Sequence, residues 1–183
     1  MLFAFNQEFF FFFYHLGTSS PFASMLTIFF AEWFPYLVLA TVVLYESFRH
    51  EHNEEIVRTL LRTTLVLTFI WLVALSLKQY FPSPRPFAYF TDVIPLVSES
   101  DAYGSFPSAH ATIFGALAGI VYAQRFPFRI WYLVAAILIA IARVCAGVHW
   151  PVDVIVGIFF GFASGYLLSK LFLRKKVLTV PQK

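Results

Sequence analysis

Apolar residues fall in long runs along this chain, broken by charge, proline or glycine, and several runs are long enough to cross a bilayer as helices. Five spans are expected: about Phe22 to Tyr45, Thr63 to Leu77 with Leu60 and Leu61 extending its inner end, Ser108 to Tyr122, Arg129 to Ala146, and Pro151 to about Leu171. These helices are apolar all round, with no polar face to turn toward water. Ahead of them, Phe9 to Phe13 and Tyr14 make a run too short and too aromatic to span, which reads as a helix lying in the interface. The expected fold class is an all-α integral membrane protein: a helical bundle of about five transmembrane helices plus an N-terminal interfacial helix, in a single domain over residues 1–183.

The breaks carry their own information. Pro82, Pro84 and Pro86 force a stiff, extended exit from the second span. The segment from Gln79 to Phe106 is the one sizeable loop, acidic at Asp92, Glu99 and Asp101, and loops of that length commonly act as lids or binding loops. Gly157, Gly161 and Gly165, spaced by four, and Gly115 with Gly119 make smooth faces for close helix packing. Glu32 and Pro35 interrupt the first span. Trp33 and Tyr36 make that stretch an interfacial belt, a place for Glu32 in a buried site being the other reading.

Composition excludes a soluble globule: 60% of residues are hydrophobic, 13% are charged, and the mean hydropathy is +0.74. The net charge of +3 comes from basic residues scattered between apolar runs, so no nucleic-acid partner is expected. They report topology instead. With five spans, ten of the thirteen Lys and Arg residues (Arg49, Arg58, Arg62, Arg125, Arg129, Lys170, Arg174, Lys175, Lys176 and Lys183) share one side, which the positive-inside rule makes cytoplasmic. Lys78, Arg85 and Arg143 lie opposite, so the active site is expected on the extracytoplasmic side. The single Cys145 reads as packing, the His50-Glu51-His52 stretch with Glu54 and Glu55 as a solvated loop rather than a metal site, and the N-terminus lacks the basic segment of a cleavable signal peptide.

Charge at membrane depth is expensive and is normally kept for function. Three segments place such charge on the outer face. Gly147 suits a helix end and Pro151 the start of the next, which leaves His149 in a tight corner with Asp153 in the first turn of the second helix and Arg143 in the last turn of the first. Lys78 is followed seven residues later by Arg85-Pro86, and Pro107-Ser108-Ala109-His110 opens the third span. Two arginines and a lysine on one pocket call for an anion, and the guanidinium fork suits a tetrahedral phosphate. Ser108, capping the third helix, would turn the first backbone amides toward the same anion, and His110 is placed to act as general acid. Three cations, amide donors and two histidines without a carboxylate cage point to metal-free, cofactor-free phosphoryl transfer.

In this order and spacing, Lys78-x6-Arg85-Pro86, Pro107-Ser108-Ala109-His110 and Arg143-x5-His149-x3-Asp153 resemble the three signature motifs of the type 2 phosphatidic acid phosphatase superfamily, over roughly residues 60–172. That superfamily includes lipid phosphate phosphatases and soluble vanadium haloperoxidases, and the apolar helices here disfavour the latter. Ala109 stands where the pattern usually has Gly, and Ala142 where it usually has Ser. The resemblance implies that His149 attacks phosphorus, with Asp153 orienting it and His110 protonating the leaving oxygen. It further implies that Lys78, Arg85, Ser108, the Ala109 amide and Arg143 bind the phosphoryl oxygens. The Ala-Glu-Trp-x-Pro-Tyr start of the first span looks most like the bacterial branch that includes undecaprenyl pyrophosphate phosphatases. A lipid phosphate in the bilayer is then the expected partner and a bacterial cytoplasmic membrane the expected location. Phosphatidylglycerophosphate, phosphatidate or a lipid A phosphate are the alternatives within the class, and a non-catalytic lipid-binding or transport protein is the alternative outside it.

Overall fold

A computed structural model describes residues 2–49 and 52–172. His50 and Glu51 of the solvated loop, and Arg174, Lys175, Lys176 and Lys183 of the topology count, lie outside the described residues. The described chain is helical, without a β-strand: α1 (Leu2–Thr18), α2 (Pro21–Ile28), a π-helical turn (Phe29–Trp33), α3 (Phe34–Arg49), α4 (Asn53–Tyr80), α5 (Pro86–Tyr89), α6 (Ala109–Ala123), α7 (Arg129–Cys145) and α8 (Pro151–Phe172).

Three helices are long and apolar enough to cross a membrane: Pro21–Arg49, Asn53–Tyr80 and Pro151–Phe172. The shorter α6 is enclosed among the other helices, while α7 packs on it with one side and turns Ile130, Trp131, Ile137 and Leu138 outward. Pro21–Arg49 runs on from α2 through the π turn into α3, and the turn has a local cause. Pro35 has no N–H to give the Ala31 carbonyl four residues back, and its ring crowds that carbonyl. The helix widens there, with the Phe34 amide reaching back five residues to Phe29. α4 begins ten residues before its apolar run, because its polar first turns carry Glu54, Glu55 and Arg58 out beyond the apolar stretch.

α6 forms the centre of the bundle, with Ala111, Thr112, Ala116, Leu117, Ala118, Ile120 and Val121 all sealed from solvent. Its contact with α8 is glycine-mediated. A Cβ on Gly161 would stand 2.0 Å from the Thr112 carbonyl oxygen, and one on Gly165 would stand 2.2 Å from that of Ala116. On the other side of the interface, a Cβ on Gly119 would stand 2.2 Å from the Phe162 carbonyl. The two backbones therefore touch, which gains dispersion energy where apolar burial against lipid gains little.

α1 forms as expected and one face of it is docked on the bundle. Phe10 is fully buried, its ring 5.2 Å from that of Trp150, while Phe5, Phe9, Phe12 and Leu16 face outward. Tyr14 locks the long loop: its hydroxyl donates to the Ile94 carbonyl at 3.1 Å and accepts from the Ile94 amide at 3.0 Å. Asn6 accepts the Val152 amide at 3.1 Å, satisfying one of the open N–H groups at the start of α8. This helix braces the corner that holds His149.

Candidate active site

The corner is built by the chain ends of α7 and α8. Gly147 takes a left-handed φ of +78° that ends α7, and Pro151 restarts the helix, so Val148, His149 and Trp150 make a buried turn between them. Asp153 lies in the first turn of α8, and its Oδ2 accepts the Trp150 amide at 2.9 Å and the Ser105 hydroxyl at 2.5 Å. The His149 Nδ1 is 3.5 Å from the same oxygen, just beyond a formed hydrogen bond.

Arg85 is delivered by the extended chain after α4. The Ser83 amide bonds the Tyr103 carbonyl at 2.8 Å, the Arg85 amide that of Ala102 at 2.9 Å, and the Ser105 amide returns to Ser83 at 3.1 Å, so the two arms of the long loop hold each other. The guanidinium, buried, donates through Nε to the Asp101 carbonyl at 2.6 Å and through Nη1 to the Val148 carbonyl at 2.9 Å. The same Nη1 lies 3.1 Å from His149 Nε2. Guanidinium has only donors, so Nε2 is the acceptor and the ring proton sits on Nδ1, facing Asp153. Burial, reinforced by Arg85, Arg143, Lys78 and His110, drives the His149 pKa well below the usual histidine range, so the ring is neutral. Burial also lowers the Arg85 pKa against the opposing pull of Asp101 and Asp153, and a guanidinium keeps its charge through such a shift.

Arg143, fully buried near the end of α7, is held between two carboxylates. Its Nη1 donates to Glu32 at 3.2 Å and its Nη2 to Glu99, while the other Glu99 oxygen sits 3.0 Å from Arg85 Nη2. The two guanidinium groups thus converge on one carboxylate. Lys78, in the last turn of α4, donates to the Gly104 carbonyl. His110 occupies the first turn of α6, half-buried, with Glu32, Lys78 and Arg85 the charges acting on it through space. Ser108 is fully buried and caps α6, its hydroxyl accepting the Ala111 amide at 3.5 Å and its own amide donating to the Asp153 carbonyl at 3.2 Å. Its hydroxyl is therefore turned into the helix end, while Ala109 and His110 stand half-buried beside it.

With this geometry, residues 56–176 match the family model of the PAP2 superfamily. The chain belongs to the PAP2 superfamily. Among similar proteins, a lipid A 1-phosphatase of Rhizobium johnstonii is 38% identical over 113 residues, covering 59% of this chain and 46% of that protein. The chain thus spans about half the length of that relative. The bacitracin transport permease protein BcrC of Bacillus licheniformis is 27% identical over 159 residues, covering 87% of this chain and 76% of its own. An undecaprenyl-diphosphatase of Sulfolobus acidocaldarius is 34% identical over 108 residues, 57% of this chain and 52% of that protein. The crystal structure of Aquifex aeolicus LpxE superposes with a TM-score of 0.70 at 27% identity, covering 91% of this chain and 95% of that one.

Three polar groups in this PAP2 site escaped the sequence reading as site members: Glu99, Ser105 and, as anything beyond an alternative, Glu32. A signal existed for the carboxylates. Two buried arginines and a half-buried lysine gathered in one place need counter-charge, and acidic residues in the segments that carry them are few. Ser105 left no signal, because its proximity to Asp153 spans 48 residues and depends on how the loop folds back.

Proposed function

We propose that this PAP2 chain is a membrane-embedded lipid phosphatase, metal-independent, working at the extracytoplasmic face of a bacterial cytoplasmic membrane through a phosphohistidine. The observation that carries the reading is the buried His149 ring, with Nε2 facing the donor-only Arg85 at 3.1 Å and Nδ1 facing Asp153. A neutral imidazole with its lone pair on Nε2, beside two converging guanidinium groups, is a nucleophile aimed at an anion seat.

In this reading the terminal phosphate of the headgroup sits on Arg85, Arg143 and Lys78, with the first amides of α6 at Ala109 and His110 adding donors and Ser108 holding that helix end in shape. Nε2 of His149 attacks the terminal phosphorus, and the bond from that phosphorus to its leaving oxygen breaks, the bridging oxygen in a pyrophosphate or the ester oxygen in a lipid monophosphate. His110 gives its proton to that oxygen, while Asp153 stabilises the positive charge developing on the imidazole. Water then attacks the phosphohistidine, His110 takes one of its protons, and inorganic phosphate leaves with Nε2 restored. A cleft of about 470 Å³ beside Asp153, lined by Tyr80, Phe81, Tyr89, Phe106 and Trp150, gives the first part of the lipid tail an aromatic seat.

The leading substrate is undecaprenyl pyrophosphate, converted to undecaprenyl phosphate. A lipid A phosphate is the second reading, supported by the 38% identity to the Rhizobium lipid A 1-phosphatase. Detergent-purified protein assayed in parallel against polyprenyl pyrophosphate, lipid A, phosphatidylglycerophosphate and phosphatidate separates these. Phosphate release is expected, fastest from the polyprenyl substrate, undiminished by chelator and abolished by His149→Ala. Release of no phosphate from any of them would leave a lipid-binding or transport role, and strong chelator inhibition would replace the mechanism with a metal-dependent one.

A further inference from the structure

We propose that the groove between α3 and α7 is a binding site for an anionic glycerophospholipid, apart from the phosphate seat and in the leaflet at the other end of those two helices. The π turn that leads into α3 meets α7 through the Glu32–Arg143 ion pair of 3.2 Å. Further along, a groove of about 390 Å³ opens between Val38, Thr41 and Tyr45 of α3 and Trp131, Tyr132 and Ala135 of α7. The Thr41 and Tyr132 hydroxyls, 3.2 Å apart, tie its two walls together. Val38 and Ala135 are buried at its floor while Trp131 is 66% exposed, so the groove opens sideways out of the bundle.

Its length suits one chain. From Phe34 to Tyr45, the stretch of α3 along the groove, is about 16 Å at 1.5 Å per residue, close to half of a hydrocarbon core about 30 Å thick. That is the depth of the chains in a single leaflet. Left unfilled, such a groove forfeits dispersion contacts along both walls, and an acyl chain lying in it restores them and completes the packing of α3 on α7. Acyl chains are alike in this respect, so fit alone selects no lipid.

Charge makes the choice. At the end away from the phosphate seat, the Arg49 guanidinium lies 5.9 Å from the ring centroid of Tyr45 and 5.6 Å from that of Phe126, which precedes the Pro127 and Phe128 that close the groove. Glu46 stands 3.6 Å from Arg49, but its side chain is sealed in the bundle, whereas that of Arg49 is 32% exposed and keeps an open side. Arg125 and Arg129 flank the closing segment, and Glu46 is the one carboxylate in α3 or in residues 124–129. Three guanidinium groups against one carboxylate leave net positive charge where a headgroup phosphate lies. Basic pockets of this kind between membrane helices hold anionic headgroups, while a zwitterionic lipid brings its own cation and gains less.

The test uses the full chain, stripped of lipid in detergent, and native mass spectrometry of its binding to phosphatidylglycerol and to phosphatidylcholine of identical chains. Wild type is expected to bind phosphatidylglycerol about fivefold more tightly, the worth of one arginine near an anionic headgroup. Arg49→Gln is expected to bring phosphatidylglycerol down to the level of phosphatidylcholine and to leave phosphatidylcholine unchanged. Thr41→Trp, which fills the groove from its open side, is expected to weaken both. An unchanged ratio in Arg49→Gln, or unchanged binding of both lipids in Thr41→Trp, would overturn the proposal; if the tryptophan variant does not fold, the ratio in Arg49→Gln decides alone. Displacement of bound phosphatidylglycerol by an uncharged polyprenol would give the groove to a prenyl chain and sink the proposal equally. Because binding is read without turnover, these results stand apart from the phosphate-release assay, whose failure would remove the phosphatase reading itself.

Discussion

The Ser105 hydroxyl donates to Asp153 Oδ2 at 2.5 Å, across 48 residues of sequence. With the Trp150 amide it fixes the oxygen toward which His149 Nδ1 points. Groups that orient a reacting residue through one intermediate contact typically matter by about 10- to 100-fold. Ser105→Ala is expected to lower kcat for lipid phosphate hydrolysis within that range with KM little changed, measured by phosphate release. Ser105→Thr, which keeps the hydroxyl, is expected to recover part of the loss.

Arg143 uses two separate nitrogens for two carboxylates, Nη1 for Glu32 and Nη2 for Glu99. The single ammonium of lysine presents no such fork. Arg143→Lys is expected to retain the fold and lose at least about tenfold in kcat/KM, because one phosphate contact made by a planar fork is replaced by a point charge. Wild-type kcat/KM in the lysine variant would show that charge alone suffices there.

His149 sets a pH dependence of stability. Its folded pKa lies well below the ordinary 6.5, so below pH 6.5 the unfolded chain takes up a proton that the folded chain refuses. Stability from this group is complete above pH 6.5 and is lost as pH falls below it, at up to about 1.4 kcal/mol per pH unit until the folded pKa is reached. Thermal unfolding in detergent between pH 7 and pH 5 is expected to show a steeper fall in Tm for wild type than for His149→Gln. Equal slopes would mean that His149 titrates normally in the fold.

At Gly161 a Cβ would stand 2.0 Å from the Thr112 carbonyl oxygen and 2.9 Å from the Ala116 amide nitrogen. Both neighbours are helical backbone and have nowhere to go without separating α6 from α8. Gly161→Ala is expected to destabilise by about 1–3 kcal/mol, the usual penalty of overpacking, and Gly161→Leu by more. Tm of the purified protein reads this directly. Activity is expected to fall as well, since α6 carries His110 and α8 carries Asp153.

The helices were legible because their ends are chemically marked. Ser108 caps α6, Gly147 and Pro151 bracket the corner, and the observed Ala109–Ala123, Arg129–Cys145 and Pro151–Phe172 fall within a residue or two of the apolar runs. α4 was not bounded this way. Hydropathy reports where lipid begins, whereas a helix continues as long as its backbone hydrogen bonds do, and α4 carries Glu54, Glu55 and Arg58 before its apolar stretch. The widened turn at Phe29–Trp33 has its cause in Pro35, but nothing local says that it aims Glu32 at Arg143.

By itself the sequence determined where the apolar helices lie, and which histidines, cations and aspartate carry the spacing of the PAP2 motifs. Apolar run length, caps and motif spacing are local properties, written within a few residues of where they act. Only the tertiary structure decided that Glu99 bridges Arg85 and Arg143, that Ser105 holds Asp153, and that Tyr14 ties the loop to α1. Those contacts join residues from 14 to 80 positions apart, and what selects them is the need of buried charges and polar groups for partners, a need met by whichever segment the folded chain brings within reach.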